Sequence, residues 1–545
     1  QHGLILQHVQ GDLHSVTPGK KFKGLKPGEQ LRLTFSPSSS MVSYSDWMPR
    51  SFITAKGLKP EIFANTDTED FSRFVEPYTR AEQLQRFNNP GPDLYPIATS
   101  QSRFVLNQQQ LSAFEKPEQL SIVPSPQQIS YQRGHTQLTA DWVIYHSGRL
   151  TSEASYLQQQ LKQVTGLSLA LTTQVPTTKQ PHIAVGIADV QEKAEGYQLV
   201  IHDEQIALNA NDNAGAFYAI QSLLALLPVE GERTVLPNLT ISDWPRFGWR
   251  GLHYDMARNF HGKEVTLRMI DQLARYKLNK LHLHLTEDEG WRIEIPGLPE
   301  LTQIGAKRCF DLSERNCLLT QLGTGPFASG NGNGYYSTAD FIEILKYAAV
   351  RHIEIIPEID MPGHTTALGL AYPQLMTAPA PTTAEIHWGV HAAVLDPSNE
   401  QVYSFLQQLL AEVAQVFPDP YLHIGGDEVH PDRWLENPGV QAFMRQQQLA
   451  DAGALQAYFN RRVEQLLKPL GKTMIGWDEV LDDQLPNSVV VQSWRGTESL
   501  FQAAEAGHPA ILSTGFYLDQ PQTAAYHYRN DPLPDAVTAP QEKDI

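Results

Sequence analysis

Lys280-Leu-His-Leu-His-Leu-Thr-Glu-Asp-Glu289 is a short apolar strand pattern that runs straight into three acids. The plan returns at Ile353-Glu-Ile-Ile-Pro-Glu358, followed by Asp360 and His364, and at Tyr421-Leu-His-Ile424, followed by Gly425, Gly426, Asp427 and Glu428. Working outward, further strand patterns lie at 252–256, 473–476, 489–492 and 510–513. Amphipathic helices fall between them. Residues 340–350 put Phe341, Ile344, Leu345 and Ala348 on one face, and residues 401–416 do the same with Phe405, Leu409 and Val413. Alternating strands and helices imply a parallel sheet covered by helices, and a βα repeat of this length predicts a (β/α)8 TIM-type barrel over residues 244–545. Seven strands are countable. Residues 520–545 are Pro- and Asp-rich with no clear strand, so the reading is a barrel that stops before its eighth strand, with an exposed edge.

Upstream the pattern changes. Residues 131–243 mix strand-like stretches at 182–186 and 197–201 with a helix over 213–227, carried by Ala216, Ile220, Leu223 and Leu224, and read as a small α+β domain. Residues 1–130 are rich in Ser, Pro, Gln and Phe with short apolar runs and read as an all-β module whose exit is marked by Pro117, Pro124 and Pro126. A chain of 545 residues suits two to four domains. The net charge of −18 disfavours a nucleic-acid backbone or an anionic membrane as partner and is compatible with a neutral substrate. No run of about eighteen apolar residues occurs, so no transmembrane helix is expected. Residues 1–10 lack the basic and apolar regions of a signal peptide. The two cysteines, Cys309 and Cys317, close a short loop at a spacing that is no zinc pattern. A disulfide in an exported protein and a pair of free thiols both fit that spacing.

Polar residues follow every strand. Arg258 follows the first, and Glu287, Asp288 and Glu289 the second. Glu358, Asp360 and His364 follow the third, and Asp427 and Glu428 the fourth. Trp477, Asp478 and Glu479 follow the fifth, Trp494 the sixth, and Tyr517 and Asp519 the seventh. In a barrel these positions share the catalytic face. Carboxylates with aromatics suit sugar cleavage. One acid protonates the leaving oxygen, a second group stabilises the oxocarbenium-like centre, and Trp faces cover the apolar side of a pyranose. Asp427 and Glu428 are adjacent, and neighbours on an extended segment point in opposite directions, a poor fit to two groups flanking one bond. They suit a division of labour. Glu428 acts as general acid and then base, while Asp427 orients a 2-acetamido group whose own oxygen attacks the anomeric carbon. Gly425 and Gly426 let the backbone turn sharply beside them.

These segments resemble the family 20 glycoside hydrolases. The resemblance is carried by Tyr421-Leu-His-Ile-Gly-Gly-Asp-Glu428, Asp255-Met-Ala-Arg-Asn-Phe260, His282-Leu-His-Leu-Thr286, Glu358-Ile-Asp-Met-Pro-Gly-His364, Gly476-Trp-Asp-Glu479 and Tyr517-Leu-Asp519, in the family's order. It implies a retaining exo-β-N-acetylhexosaminidase of the bacterial chitobiase type. The substrates implied are terminal β-linked N-acetylglucosamine, or N-acetylgalactosamine, of chitobiose, chitooligosaccharides or glycans. It also implies export (periplasmic, outer-membrane-associated or secreted), no cofactor, and a disulfide between Cys309 and Cys317. Residues 1–130 resemble the carbohydrate-binding-like β-sandwich of that group, and residues 131–243 its small α+β domain. Residue by residue, the resemblance gives Arg258 the 3- and 4-hydroxyls, Asp427 the acetamido group, Glu428 the acid/base role and Tyr517 the acetamido oxygen. Trp477 and Trp494 wall the acetamido pocket and Asp519 meets a sugar hydroxyl. Glu287, Asp288, Asp360, His364 and His423 support the acid/base region. Two departures stand out. Glu287 replaces the first of the family's paired aspartates, and the family's Trp and Glu from the region of the eighth strand have no match here. Set against that group, the β-sandwich begins partway, as in a fragment of a longer enzyme.

Other classes fit parts of the pattern. His282, His284, His364, His423 and Asp427 suggest a metal-dependent hydrolase on the same barrel. Against it, the His-x-His pair comes one whole βα unit late and no Lys stands at a bridging position, so no metal is called for. His282 and His284 read instead as core or supporting residues. A chitin-binding protein without turnover would suit a barrel short of its last strand. Taken singly, Asp427 and Glu428 suit a helix start, Trp477 and Trp494 a core, and Arg258 an ion pair. Seven successive polar strand ends argue against those readings.

Overall fold

The computed structural model describes residues 3–533 except 35–42, most of 80–121, 178, 191–192, 230, 379–392 and 521–523. In the C-terminal region seven strands pair in sequence order, all in parallel: β1 (Gly251–Asp255), β2 (Lys280–His284), β3 (Glu354–Glu358), β4 (Tyr421–His423), β5 (Thr473–Trp477), β6 (Val490–Ser493) and β7 (Ala510–Leu512). Helices α1 (Lys263–Arg275), α2 (Thr338–Ala349), α3 (Glu400–Val416), α4 (Ala452–Leu467) and α5 (Glu498–Glu505) carry the chain back between strands. From β5 to β6 there is only the short turn Asp478–Val480. This is the curled parallel sheet of a TIM-type barrel. Among the described residues β7 pairs with β6 alone, and no eighth strand joins it to β1.

Local chemistry explains these elements. Ser337 and Asp340 form a reciprocal capping box that starts α2, and the Asp451 side chain accepts the Ala454 N–H to start α4. In β2, Leu281 and Leu283 join the main apolar core, while the alternating His282 and His284 meet Glu358 on the other face. The parallel register sets Asp255 beside His284, His284 beside Glu358, and Glu358 beside His423. A polar layer thus runs across the carboxyl ends of four strands. The expected face of α3 holds and is wider than expected: Leu409 and Val413 are buried with Val402, Tyr403, Leu406 and Leu410, and Phe405 is half-buried against the same core and Tyr372. A helix wedged between neighbours buries a wider stripe than one row of side chains.

Before the barrel, seven strands form a mixed sheet. Its order is Gln128–Gln137, Val235–Asp243, Tyr197–His202, Gln205–Ala210, His182–Ile187, Val143–His146 and Ala170–Thr172. Helices Thr151–Thr165 and Asn213–Ala225 bury Leu157, Leu161, Phe217, Ile220 and Leu223 in the same core. Two ion pairs and a hydrogen bond join this α+β unit to the barrel: Lys277 to Asp243 at 3.0 Å, Arg250 to Glu195 at 2.8 Å, and His352 Nε2 to Glu153 at 3.0 Å. A cavity of about 330 Å³ lined by Glu195, Asn279, His352 and Asp419 lies at this junction. In the N-terminal region the described strands form two antiparallel pairs, Leu4–Gln10 with Leu13–Pro18 and Phe52–Ile53 with Glu61–Ile62. Much of the expected β-sandwich, including Pro117, lies outside the described residues. No helix of the described residues is long and apolar enough to cross a membrane.

Candidate active site

The carboxyl ends of β1 to β4 bring nearly all the expected polar residues together. Glu358, at the end of β3, is the hub. Its Oε2 accepts from His284 Nδ1 at 2.7 Å and lies 2.8 Å from His282 Nε2 and 3.3 Å from His253 Nε2. Its Oε1 accepts the Trp477 indole N–H at 2.9 Å and lies 3.3 Å from His423 Nδ1. Burial alone would raise this carboxyl, but His284, His423 and His282 hold it well below the usual carboxylate range. The same field sorts the histidines. Burial opposes charge on His284, yet Glu358 and Asp255 hold its pKa well above the usual value. On His282 burial wins and lowers the pKa to about 3. The rings of His253, His282 and His423 pack around Trp477 with centroids 4.9–5.9 Å away.

A second chain of contacts leads to the mouth. Arg258 Nη1 donates to Asp255 at 2.6 Å, Nη2 donates to Glu287, and Nε lies 3.8 Å from Glu289. Burial opposes its charge, but Glu287, Asp255 and Glu289 raise its pKa above the ordinary value. His364 Nδ1 lies 2.9 and 3.1 Å from the two oxygens of Glu287. On the other side of the ring, Nε2 lies 3.4 Å from Glu428 Oε2 and 3.6 Å from Asp427 Oδ2. Burial pushes His364 down, yet Glu287, Asp288 and Glu428 together outweigh it and hold the imidazole well above its usual pKa. Asp288 anchors the next segment by accepting the Thr366 N–H at 2.9 Å and hydroxyl at 2.6 Å. Burial, and then the charges of Glu287 and Asp288, push Glu289 up to about 8.

The expectation that Asp427 and Glu428 splay apart is not met. Both carboxylates approach the same His364 nitrogen. The reason is the backbone: Gly425, Gly426 and Glu428 have φ of 68°, 96° and 46°, so the segment leaves the extended conformation in which neighbours alternate. A Cβ on Gly425 would stand 1.8 Å from Asp360 Oδ1, and that oxygen accepts the Gly426 N–H at 3.3 Å. Asp360 is raised well above the usual carboxylate range by burial and by the charge of Asp427. Burial also raises Asp427, against the pull of His364. His423 Nδ1 accepts the Gly425 N–H at 3.0 Å and steadies the turn.

The remaining residues form the other side. Trp494 donates its indole N–H to Glu479 at 2.9 Å, and burial, with a bond in which Asp478 accepts from it, pushes Glu479 up to about 7. Tyr517 is half-buried, and burial with the charges of Asp427 and Asp519 raises its hydroxyl. Asp519 is exposed. Cys309 and Cys317 are joined as a disulfide. The His253–Glu358 centre was not singled out in the sequence, although His253 and Asp255 alternate on one face of β1 as His282 and His284 do on β2. Donor atoms of His253, His282 and Glu358, and of His284, Glu287 and Asp360, lie within 4.8 Å of one another, a spacing that could hold a cation. In the chain itself these carboxylates are balanced by His284, His364 and Arg258.

Comparison with known proteins gives a consistent result. Residues 247–541 match the model for the glycosyl hydrolase family 20 catalytic domain, residues 119–244 its domain 2, and residues 1–101 a putative carbohydrate-binding domain. The N,N'-diacetylchitobiase of Vibrio harveyi is 31% identical over 95% of this chain and 65% of its own length. Beta-hexosaminidase B of Pseudoalteromonas piscicida is 33% identical over 88% of this chain and 64% of its own. Among solved structures, the chitobiase of Flavobacterium johnsoniae superposes with a TM-score of 0.66 at 32% identity, covering 79% of this chain and 65% of that one. The exo-β-N-acetylglucosaminidase of Vibrio harveyi in complex with N-acetylglucosamine does so with a TM-score of 0.68 at 27% identity, covering 87% and 68%. The chain spans about 65% of the length of the curated relatives it matches. It belongs to glycosyl hydrolase family 20.

Proposed function

We propose that the chain is a retaining exo-β-N-acetylhexosaminidase that removes terminal β-linked N-acetylglucosamine, or N-acetylgalactosamine, from chitobiose, chitooligosaccharides or glycans. The observation that carries this reading is the glycine turn that aims Asp427 and Glu428 at one side of His364. Glu428, with 39% of its side chain exposed, protonates the glycosidic oxygen and then draws a proton from water. His364, backed by Glu287, supports it at the ring's outer nitrogen. Asp427 orients the N–H of the 2-acetamido group and accommodates the positive charge that develops there, the group's oxygen attacks the anomeric carbon, and the Tyr517 hydroxyl donates to that oxygen and holds it in line for attack. Trp477 and Trp494 wall the acetamido group. Arg258, held between three carboxylates, grips the 3- and 4-hydroxyls, and Asp519 meets a further hydroxyl. The disulfide supports an exported location. Hydrolysis followed by proton NMR tests the mechanism. Release of the β-anomer first is expected, and release of the α-anomer first contradicts it.

A further inference from the structure

The connection after β2 buries a cation that the proposed chemistry leaves unused. Arg308 is 1% exposed. Its Nε and Nη2 donate to the Glu289 carbonyl at 2.9 and 2.6 Å, and Nη2 also donates to the Arg258 carbonyl at 2.7 Å. Its Nη1 donates to the Gln321 carbonyl at 3.4 Å. A guanidinium is a rigid planar fork, so these contacts lock three backbone segments to one another. They are the segment carrying Arg258, the segment carrying Glu289, and the loop at 320–325. A second fully buried guanidinium, Arg292, donates to the Ala257 carbonyl at 3.0 and 2.9 Å, one residue before Arg258. The backbone on both sides of the Arg258 amide is therefore fixed from within. Among the described residues Arg308 makes no carboxylate ion pair, and its charge is felt by Glu289, Asp12 and Asp255.

The far side of the 320–325 loop is held by the N-terminal module. Asp12, in the turn between strands Leu4–Gln10 and Leu13–Pro18, accepts the Leu322 N–H at 2.7 Å. Arg50 Nη1 donates to the Gly323 carbonyl at 2.7 Å. Gly11 has φ of 52°, and a Cβ there would stand 2.7 Å from Gln321 Oε1. We propose that Arg308 is a positioning residue for Arg258, and that the N-terminal hairpin holds Arg308 in register through Asp12 and the 320–325 loop. The N-terminal module thereby sets the grip on the hydroxyl end of the terminal sugar. This rests on the assignment of Arg258 to the sugar hydroxyls.

The test uses the full chain, its Arg308→Lys and Asp12→Ala variants, and two substrates: an aryl β-N-acetylglucosaminide and its 4-deoxy analogue. Loss of a contact made equally in ground and transition states raises KM and spares kcat, so Arg308→Lys should raise KM about tenfold on the full sugar with kcat nearly unchanged. On the 4-deoxy sugar the rise should be much smaller. Asp12→Ala, which leaves the barrel interior intact, should move KM in the same direction by about threefold. A merely structural role lowers kcat through the active fraction and treats both sugars alike. That pattern, or an unchanged KM, overturns the proposal. A parent chain without turnover contradicts the enzymatic reading instead. The positioning claim is then decided by crystal structures of the parent and Asp12→Ala: displacement of the Arg258 guanidinium from Asp255 and Glu287 supports it, and an unmoved Arg258 overturns it.

Discussion

The two sides of the polar ring are held in opposite ways. On the β1–β4 side, Glu287 and Glu358 are fully enclosed and each engages several partners, so Arg258, His364 and Trp477 are fixed by charge as well as by packing. On the β5–β7 side, Trp494 rests on the single bond to Glu479, and the side chains of Tyr517 and Asp519 have no hydrogen bond among the described residues. The first side is preorganised: its dipoles and charges are in place before a ligand arrives, which is the arrangement that stabilises developing charge without reorganisation cost. The second side is held more sparsely at Trp494, Tyr517 and Asp519, although Asp478 beneath them is enclosed against Arg495 and Ser499. The difference implies that changes on the first side, which also carries Asp427 and Glu428, alter stability and catalysis together, whereas changes at Trp494, Tyr517 or Asp519 leave stability nearly untouched.

The sharpest way to break this contrast is Glu358→Gln. Removing the hub charge leaves the buried His284 with only Asp255 and Glu287 to oppose its burial, so unfolding in urea should show a loss of about 3 kcal/mol, the low end for a broken buried pair. A loss below about 1 kcal/mol, the range of an exposed ion pair, would mean that the two sides are not held differently. On the opposite side, Tyr517→Phe should leave stability within about 0.5 kcal/mol and lower kcat by about a hundredfold, because the donor that holds the attacking acetamido oxygen in line is removed. Steady-state kinetics with a parallel urea curve separates those effects.

The smallest effect concerns Glu289. Its carboxyl is raised from 4.5 to about 8, so the folded chain binds a proton there that the unfolded chain has lost. The stabilisation from this proton is full below about 4.5 and declines as pH rises toward 8. Glu289→Gln should flatten that decline in urea unfolding measured across the window. An unchanged slope would place the ionisation elsewhere.

The contrast also marks what could be read from the sequence. The seven parallel strands and the polar ends of each were legible because apolar runs alternate with amphipathic helices, and side chains in a strand alternate faces. The pairing of Glu358 with four histidines was not, because it depends on register across β1 to β4, which no single strand encodes. The expected splaying of Asp427 and Glu428 failed for a local reason: it assumed an extended backbone where Gly425, Gly426 and Glu428 adopt positive φ. Two glycines before two acids were the available signal. Arg308 was passed over because its partners are backbone carbonyls, which leave no trace in residue types.

The most direct test of the central claim is hydrolysis of an aryl β-N-acetylglucosaminide by this 545-residue chain beside its Glu428→Gln variant. Turnover by the parent that falls by about 10²–10⁴ in a variant with an unchanged circular dichroism spectrum is the predicted result. Equal turnover by both would contradict the assignment of Glu428, and no turnover from a folded parent would contradict the enzymatic reading.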